Sequence, residues 1–172
     1  MTLVGNEIDS LCVENSISNR KGKVAAISIS RKKGIPKTNI NHAKLVEGFG
    51  IEGDAHAGNW HRQISFLALE SIDKMRAKGL PNLRPGAFAE NITTEFIDIP
   101  NLQIGSKIKI GAETELEITQ IGKECHSKCA IFFTVGDCVM PREGIFAKVI
   151  KSGEIFVGDD VQVIKGASKS YF

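Results

Sequence analysis

Three side chains that ligate soft metals or act as nucleophiles, Cys125, His126 and Cys129, fall within the stretch 120-QIGKECHSKCAIFF-133. A thiolate there could bind a metal, exchange with a disulfide, or work alone as a nucleophile. Geometry separates these roles. Had residues 125 to 129 continued the preceding alternating segment as a strand, the two sulfurs would stand roughly 13 Å apart, too far for one zinc or one disulfide. On a loop or helical turn they come within reach, and Cys138 would complete a Cys₃His set. The C-x₃-C spacing with an embedded histidine is not the usual paired zinc knuckle, and no second pair occurs in the chain. A haem motif would place its histidine after the second cysteine. A single reactive thiol asks only for nearby cations, and Lys123, His126, Lys128 and Arg142 are close in sequence. Cys129 is therefore read as the working thiol, with the apolar AIFF holding it at the start of a strand. Cys138 is read as a small buried hydrophobe.

The second cluster is 52-EGDAHAGNWHRQ-63. His56 and His61 lie within this glycine-rich loop, and Asp54 could orient one imidazole. Zinc held by both histidines and a cysteine is one reading, and a loop with structural histidines is the other. Arg62 has two readings as well. Beside glycine N–H groups a guanidinium makes a cradle for phosphate; alternatively it forms a salt bridge with Glu52 or Glu90.

These residues need a scaffold. The segment 23-KVAAISISR-31 alternates as a strand with Ile27 and Ile29 on one face, and 31-RKKGIPK-37 follows as a basic loop. In SFLALESIDKMRAKG the spacing of Leu69, Ile72 and Met75, with Arg76, Lys78 and Gly79 at its end, predicts the one long helix. The second half alternates in short runs, IGSKIKIG, ELEITQIG and IFAKVIKSGEIFVGDDVQVI, with SGE as a hairpin turn. Strands so short and closely spaced argue for a barrel or sandwich. Residues 1–22 are read as an N-terminal extension, 23–165 as one domain and 166–172 as a tail. With 22 basic and 20 acidic side chains the net charge is +2, so no global field points to nucleic acid or membrane. Neither a signal-peptide pattern nor an apolar run of membrane-spanning length occurs, and four cysteines are too few for a disulfide scaffold, so a cytoplasmic location is expected.

The text 31-RKKGIPK-37, 50-GIEGDAHAGNWHRQISFLALESID-73, 86-GAFAENITT-94, 104-IGSKIKIG-111, 118-ITQIGKECHSKCAIF-132 and 140-MPREGIFAKVIKSGEIFVGD-159 resembles the MOSC domain, the module named after the C-terminal part of molybdenum cofactor sulfurases, in its stand-alone bacterial form. The resemblance implies a mainly β, pyruvate-kinase-like barrel with a few helices. It further implies molybdenum cofactor (molybdopterin) binding or sulfur carriage, with the family's cysteine falling on Cys129. That thiolate would hold a persulfide or ligate molybdenum, and Cys125 and His126 would be its neighbours in the chemistry. Arg62, Arg142, Lys37, His56, Gly53, Asn91 and Lys123 are the candidates to meet the pterin and its phosphate. The chain has no room for a pyridoxal-phosphate cysteine desulfurase domain, so a sulfur carrier would need a separate desulfurase and an acceptor molybdoenzyme. Two other functions fit the same residues. One is a molybdenum-dependent reductase of N-hydroxylated substrates fed by an electron-donating partner; the other is a zinc-binding structural or interaction module.

Overall fold

The computed structural model describes residues 21–125 and 127–165. His126, Cys12 and the C-terminal tail lie outside the described residues.

Strand β1 (Lys21–Ile29) opens the sheet, and its alternation is broken by a bulge between Val24 and Ala26. The extra residue shifts the pleat, so that Ala26, Ile27 and Ser28 are all buried while Ile29 is only half-buried. Short strands β2 (Thr38–Ile40), β3 (His42–Val46) and β4 (Gly50–Ile51) lead to β5 (Ile64–Ala68), followed without a break by helix α1 (Leu69–Ala77). After β6 (Ile92–Glu95) and a single 3₁₀ turn at Ile99–Asn101 come β7 (Lys107–Ile110) and β8 (Thr114–Ile121). Two short helices, α2 (Ala130–Val135) and α3 (Met140–Glu143), precede β9 (Ile145–Lys151), β10 (Gly153–Phe156) and β11 (Asp160–Lys165).

The main sheet runs β11-β7-β8-β9-β5-β6-β1-β2, and β11 also pairs with β1. That pairing closes seven strands into a barrel and leaves β2 as an appendage on β1; among the described strands only β5–β6 is parallel. Closure removes the open edges that a sheet of short strands would otherwise expose. The predicted mainly β barrel is what forms. Its interior is apolar and mostly aliphatic, with Ile27, Phe66, Ile92, Ile108, Ile110, Leu116 and Ile145 fully enclosed.

Two expectations are corrected. The first four residues of SFLALESIDKMRAKG are strand, because β5 is buried on both faces: Ile64, Phe66 and Ala68 join the barrel core, while Leu67 joins a second cluster with Ile72 and Met75 of α1. A strand buried on both sides loses its polar alternation and reads as continuous apolar text. SGE is not a hairpin turn. β9 lies in the barrel between β8 and β5, whereas β10 pairs with β3 in a separate three-stranded sheet. The backbone leaves the barrel there, and a Cβ on Gly153 would stand 2.4 Å from Thr114 Oγ1, so only glycine admits the approach.

Candidate functional site

The second apolar cluster lies outside the barrel and includes Phe88, Val139, Met140 and Phe146, with Ile131 and Cys138 packed at its margin. Where it meets the loops after β4, after α1 and after β8, a cavity of about 280 Å³ opens. Seven of the sequence candidates line it: Lys37, His56, Arg62, Asn91, Lys123, Cys125 and Cys129. Segments far apart in the chain thus converge on one hollow.

The wall carrying His56, Trp60 and Arg62 is anchored by Asp54. Its side chain is 1% exposed, and its carboxylate accepts from Ser30 N–H (2.9 Å), Lys37 Nζ (2.8 Å) and His56 N–H (3.1 Å). Burial pushes this carboxyl up, but the Lys37 ammonium and the two amides outweigh it and hold Asp54 below its usual value. Lys37 is itself 3% exposed in its side chain. The basic loop therefore contributes an internal ion pair here, and the positive charge of Lys37 is already matched. Burial, then the Lys37 charge, lowers His56 against the pull of Asp54, so its imidazole is neutral at neutral pH. Its Nδ1 is enclosed, has no hydrogen-bond partner and stands 3.7 Å from Asp54 Oδ2.

Arg62 takes neither of its expected carboxylate partners. Glu52 lies 3.6 Å from Lys44 Nζ, and Glu90 is fully buried, accepting from Gly86 N–H, Phe88 N–H and Thr93 Oγ. The guanidinium instead stacks over Trp60 at 4.9 Å and Phe146 at 5.7 Å, leaving Nε enclosed without an acceptor. Aromatic faces hold a cation in place without satisfying its N–H groups, which remain free for an anion. Asn91 is buried; it accepts from Ser65 N–H and Ser65 Oγ and donates to Ser28 O, so it braces the cavity floor. Glu90 is raised by burial while its oxygens shape the 86–90 turn, where Gly86 has φ +90° and a Cβ would meet Ser28 Oγ at 2.9 Å.

The opposite wall carries the sulfur. β8 ends at Ile121, and Gly122, with φ +73°, turns the chain into the cysteine loop while its N–H donates to Gly144 O at 2.6 Å. A Cβ at this glycine would stand 2.1 Å from Pro141 O. Gly122→Ala is therefore expected to cost about 1–2 kcal/mol from the left-handed backbone alone, and more from the clash. A lower denaturant midpoint at unchanged slope would register it. Cys125 and Cys129 are both exposed on this loop and line the cavity together with Cys138. The loop, not a strand, is what lets them share one space.

AIFF does not begin a strand. It opens the six-residue helix α2 (AIFFTV), with Cys129 just before it and Gly136 closing it in the left-handed conformation. No residue of α2 is buried, and Phe133 is 76% exposed. A short apolar run satisfies either period, and here the αL glycine decides for the helix.

Other candidates fall elsewhere. Arg142 lies over a separate hollow, bonded to Asp137 at 3.0 Å. Lys78, then Arg142, then the Cys138 amide hold the Asp137 carboxyl down at about 2. Gly53 is exposed with open space around it and does not line the cavity. His61 bonds Gln120 Oε1 at 2.9 Å and does not line the cavity. Among the described residues no three Cys, His, Asp or Glu side chains gather closely enough to hold a metal ion. Trp60, Phe88, Met140 and Phe146 line the cavity without having been singled out from sequence; only Trp60, the sole tryptophan, lying between His56 and Arg62, carried a visible signal.

A search of solved structures finds the same fold repeatedly. The YuaD protein of Bacillus subtilis superposes with a TM-score of 0.70 at 20% identity, covering 82% of this chain and 94% of that one. YiiM from Geobacillus stearothermophilus (TM-score 0.63, 15% identity, 84% of this chain and 75% of that one) and YiiM from Escherichia coli (0.62, 15%, 86% and 72%) are similar too. No curated protein sequence matches this chain. The MOSC domain family profile matches residues 53–162, which contain the cysteine loop and all the cavity-lining candidates except Lys37. With most of its length matched and the barrel closed as that fold requires, this chain belongs to the MOSC domain family, one linked to molybdenum cofactor binding and sulfur-related chemistry.

Proposed function

We propose that this protein binds the molybdenum cofactor or its precursor in the cavity and uses the Cys129 thiolate to hold persulfide sulfur or to ligate molybdenum. The observation that carries this reading is the donor set. Exposed thiols on one wall face a guanidinium on the other whose enclosed Nε has no acceptor. Soft sulfur suits a sulfur-rich metal centre or a sulfane sulfur, while Arg62 and Lys123 suit the phosphate of a pterin. When bound, the cofactor would supply a metal centre with exchangeable sulfur ligands. The chain's own part is to orient and enclose. Trp60 and Phe146 fix Arg62, the Asp54 network fixes the loop that bears it, and Phe88, Ile131 and Met140 give the cavity an apolar wall. Lys37 and Asn91 act through the loops they brace. As a carrier it would take sulfur from a separate pyridoxal-phosphate cysteine desulfurase and pass it to an acceptor molybdoenzyme.

The test combines reduced protein with cysteine and such a desulfurase, then maps labelled sulfur on alkylated peptides. Label on Cys129 supports the carrier role, and label absent from Cys129 removes it. Arg62→Ala is expected to weaken cofactor affinity about tenfold at low salt. The deficit shrinks as salt screens the wild-type contact. Equal affinities at low salt would return Arg62 to a purely packing role.

A further inference from the structure

From the far end of α2 the fold brings a second thiol into the cavity that Cys129 lines. Cys129 precedes the helix, Gly136 reverses the chain with its N–H on Phe132 O at 2.7 Å, and Asp137 pins the return. Asp137 is held by Lys78 and by Arg142, and it accepts the Cys138 N–H at 2.8 Å. The result is that Cys138 lines the same cavity as Cys129, half-buried against the apolar wall. Burial pushes the Cys138 thiol up, and Cys129 and Cys125 add to the shift.

We infer that Cys138 is the resolving thiol for sulfur carried on Cys129, an assignment that rests on the proposed carrier role. The Cys138 sulfur, as thiolate, attacks Cys129 Sγ of the persulfide. A Cys138–Cys129 disulfide forms, the bond from Cys129 to the outer sulfur breaks, and that sulfur leaves with the electron pair as hydrosulfide. The two cysteines are together oxidised by two electrons and the sulfane sulfur is reduced by two, so no outside oxidant is needed. A dithiol reductant then restores both thiols. The device delivers sulfur at the oxidation level of a metal ligand, inside a cavity whose Arg62 and Lys123 favour an anion. It also gives the salt-bridged turn after α2 a purpose, since that turn fixes where Cys138 sits.

The experiment loads reduced, desalted protein with inorganic polysulfide, removes the excess, and follows hydrosulfide release together with the mass and peptide map of the protein. Wild type is expected to release hydrosulfide as a Cys129–Cys138 disulfide appears. In Cys138→Ser the Cys129 persulfide is expected to persist, with release slowed about a hundredfold by loss of the intramolecular attack. Cys138→Ala, which fills the apolar site without a polar atom, should behave alike, and circular dichroism confirms that both are folded. A Cys129 persulfide as short-lived in both variants as in wild type overturns the inference and leaves the carrier role standing, as does a disulfide mapped to Cys125. A Cys129 that takes up no sulfur at all overturns the carrier role and the inference with it.

Discussion

Replacing Cys129 with serine is expected to leave the melting temperature close to that of the wild type while removing sulfur uptake. The reason is positional. Cys129 is exposed, caps no helix amide through its side chain and belongs to neither apolar cluster. Its exchange for a smaller oxygen therefore opens no void in the core, and surface exchanges away from core, caps and networks usually stay within about 0.5 kcal/mol. Chemistry is another matter. A serine hydroxyl is neither a soft ligand nor ionised near neutral pH, so persulfide formation at this site should fall to background, a loss of roughly a thousandfold or more. Labelled-sulfur transfer together with thermal unfolding of the same preparation checks both halves. Wild-type uptake in the serine variant would move the working thiol to Cys125 or Cys138.

The largest structural effect is expected at Asp54. Asp54→Ala would strand the Lys37 ammonium and two backbone amides inside the protein, and breaking a buried pair in this way typically costs about 3–5 kcal/mol. The loss reaches the site as well, because the same carboxylate fixes the loop that carries His56, Trp60 and Arg62. Acid should mimic the substitution. Since the folded carboxyl lies below its ordinary value of 3.8, its contribution is fully present above that pH and disappears as the pH falls through the lowered folded value. Denaturant titrations of wild type and Asp54→Ala across pH 2–6 would converge at the acid end. A constant gap across that range, or a gap under about 1 kcal/mol at neutral pH, would mean that the pair anchors nothing.

How much of this was legible in the text varied with the surroundings of each segment. Strands β7 and β8 alternate buried and half-buried residues, as KIKI and TELEITQI suggest, because one face meets the barrel core and the other meets solvent. β5 hid itself because both of its faces are covered, and β10 misled because its pairing with β3 depends on a partner more than a hundred residues away. The cavity showed the same division. Clustering along the chain revealed Cys125, Cys129, His56 and Arg62, whereas Phe88, Met140 and Phe146 are ordinary core residues in sequence and become a wall only when α1, α3 and β9 pack together. Arg142 went the other way. It lies near Cys138 in sequence, but Asp137 captures it on the far side of the turn. Proximity in sequence could not register that competition.

If this cavity holds the molybdenum cofactor with Cys129 at its reactive centre, as proposed, cofactor content must depend on that thiol. Metal and pterin analysis of wild type and Cys129→Ser, each purified under reducing conditions from a host that makes the cofactor, tests it most directly. Molybdenum and pterin are expected in equal amounts in the wild-type protein, with a sharp fall of both in the serine variant. Stoichiometric zinc without pterin, or molybdenum retained equally by both proteins, would contradict it.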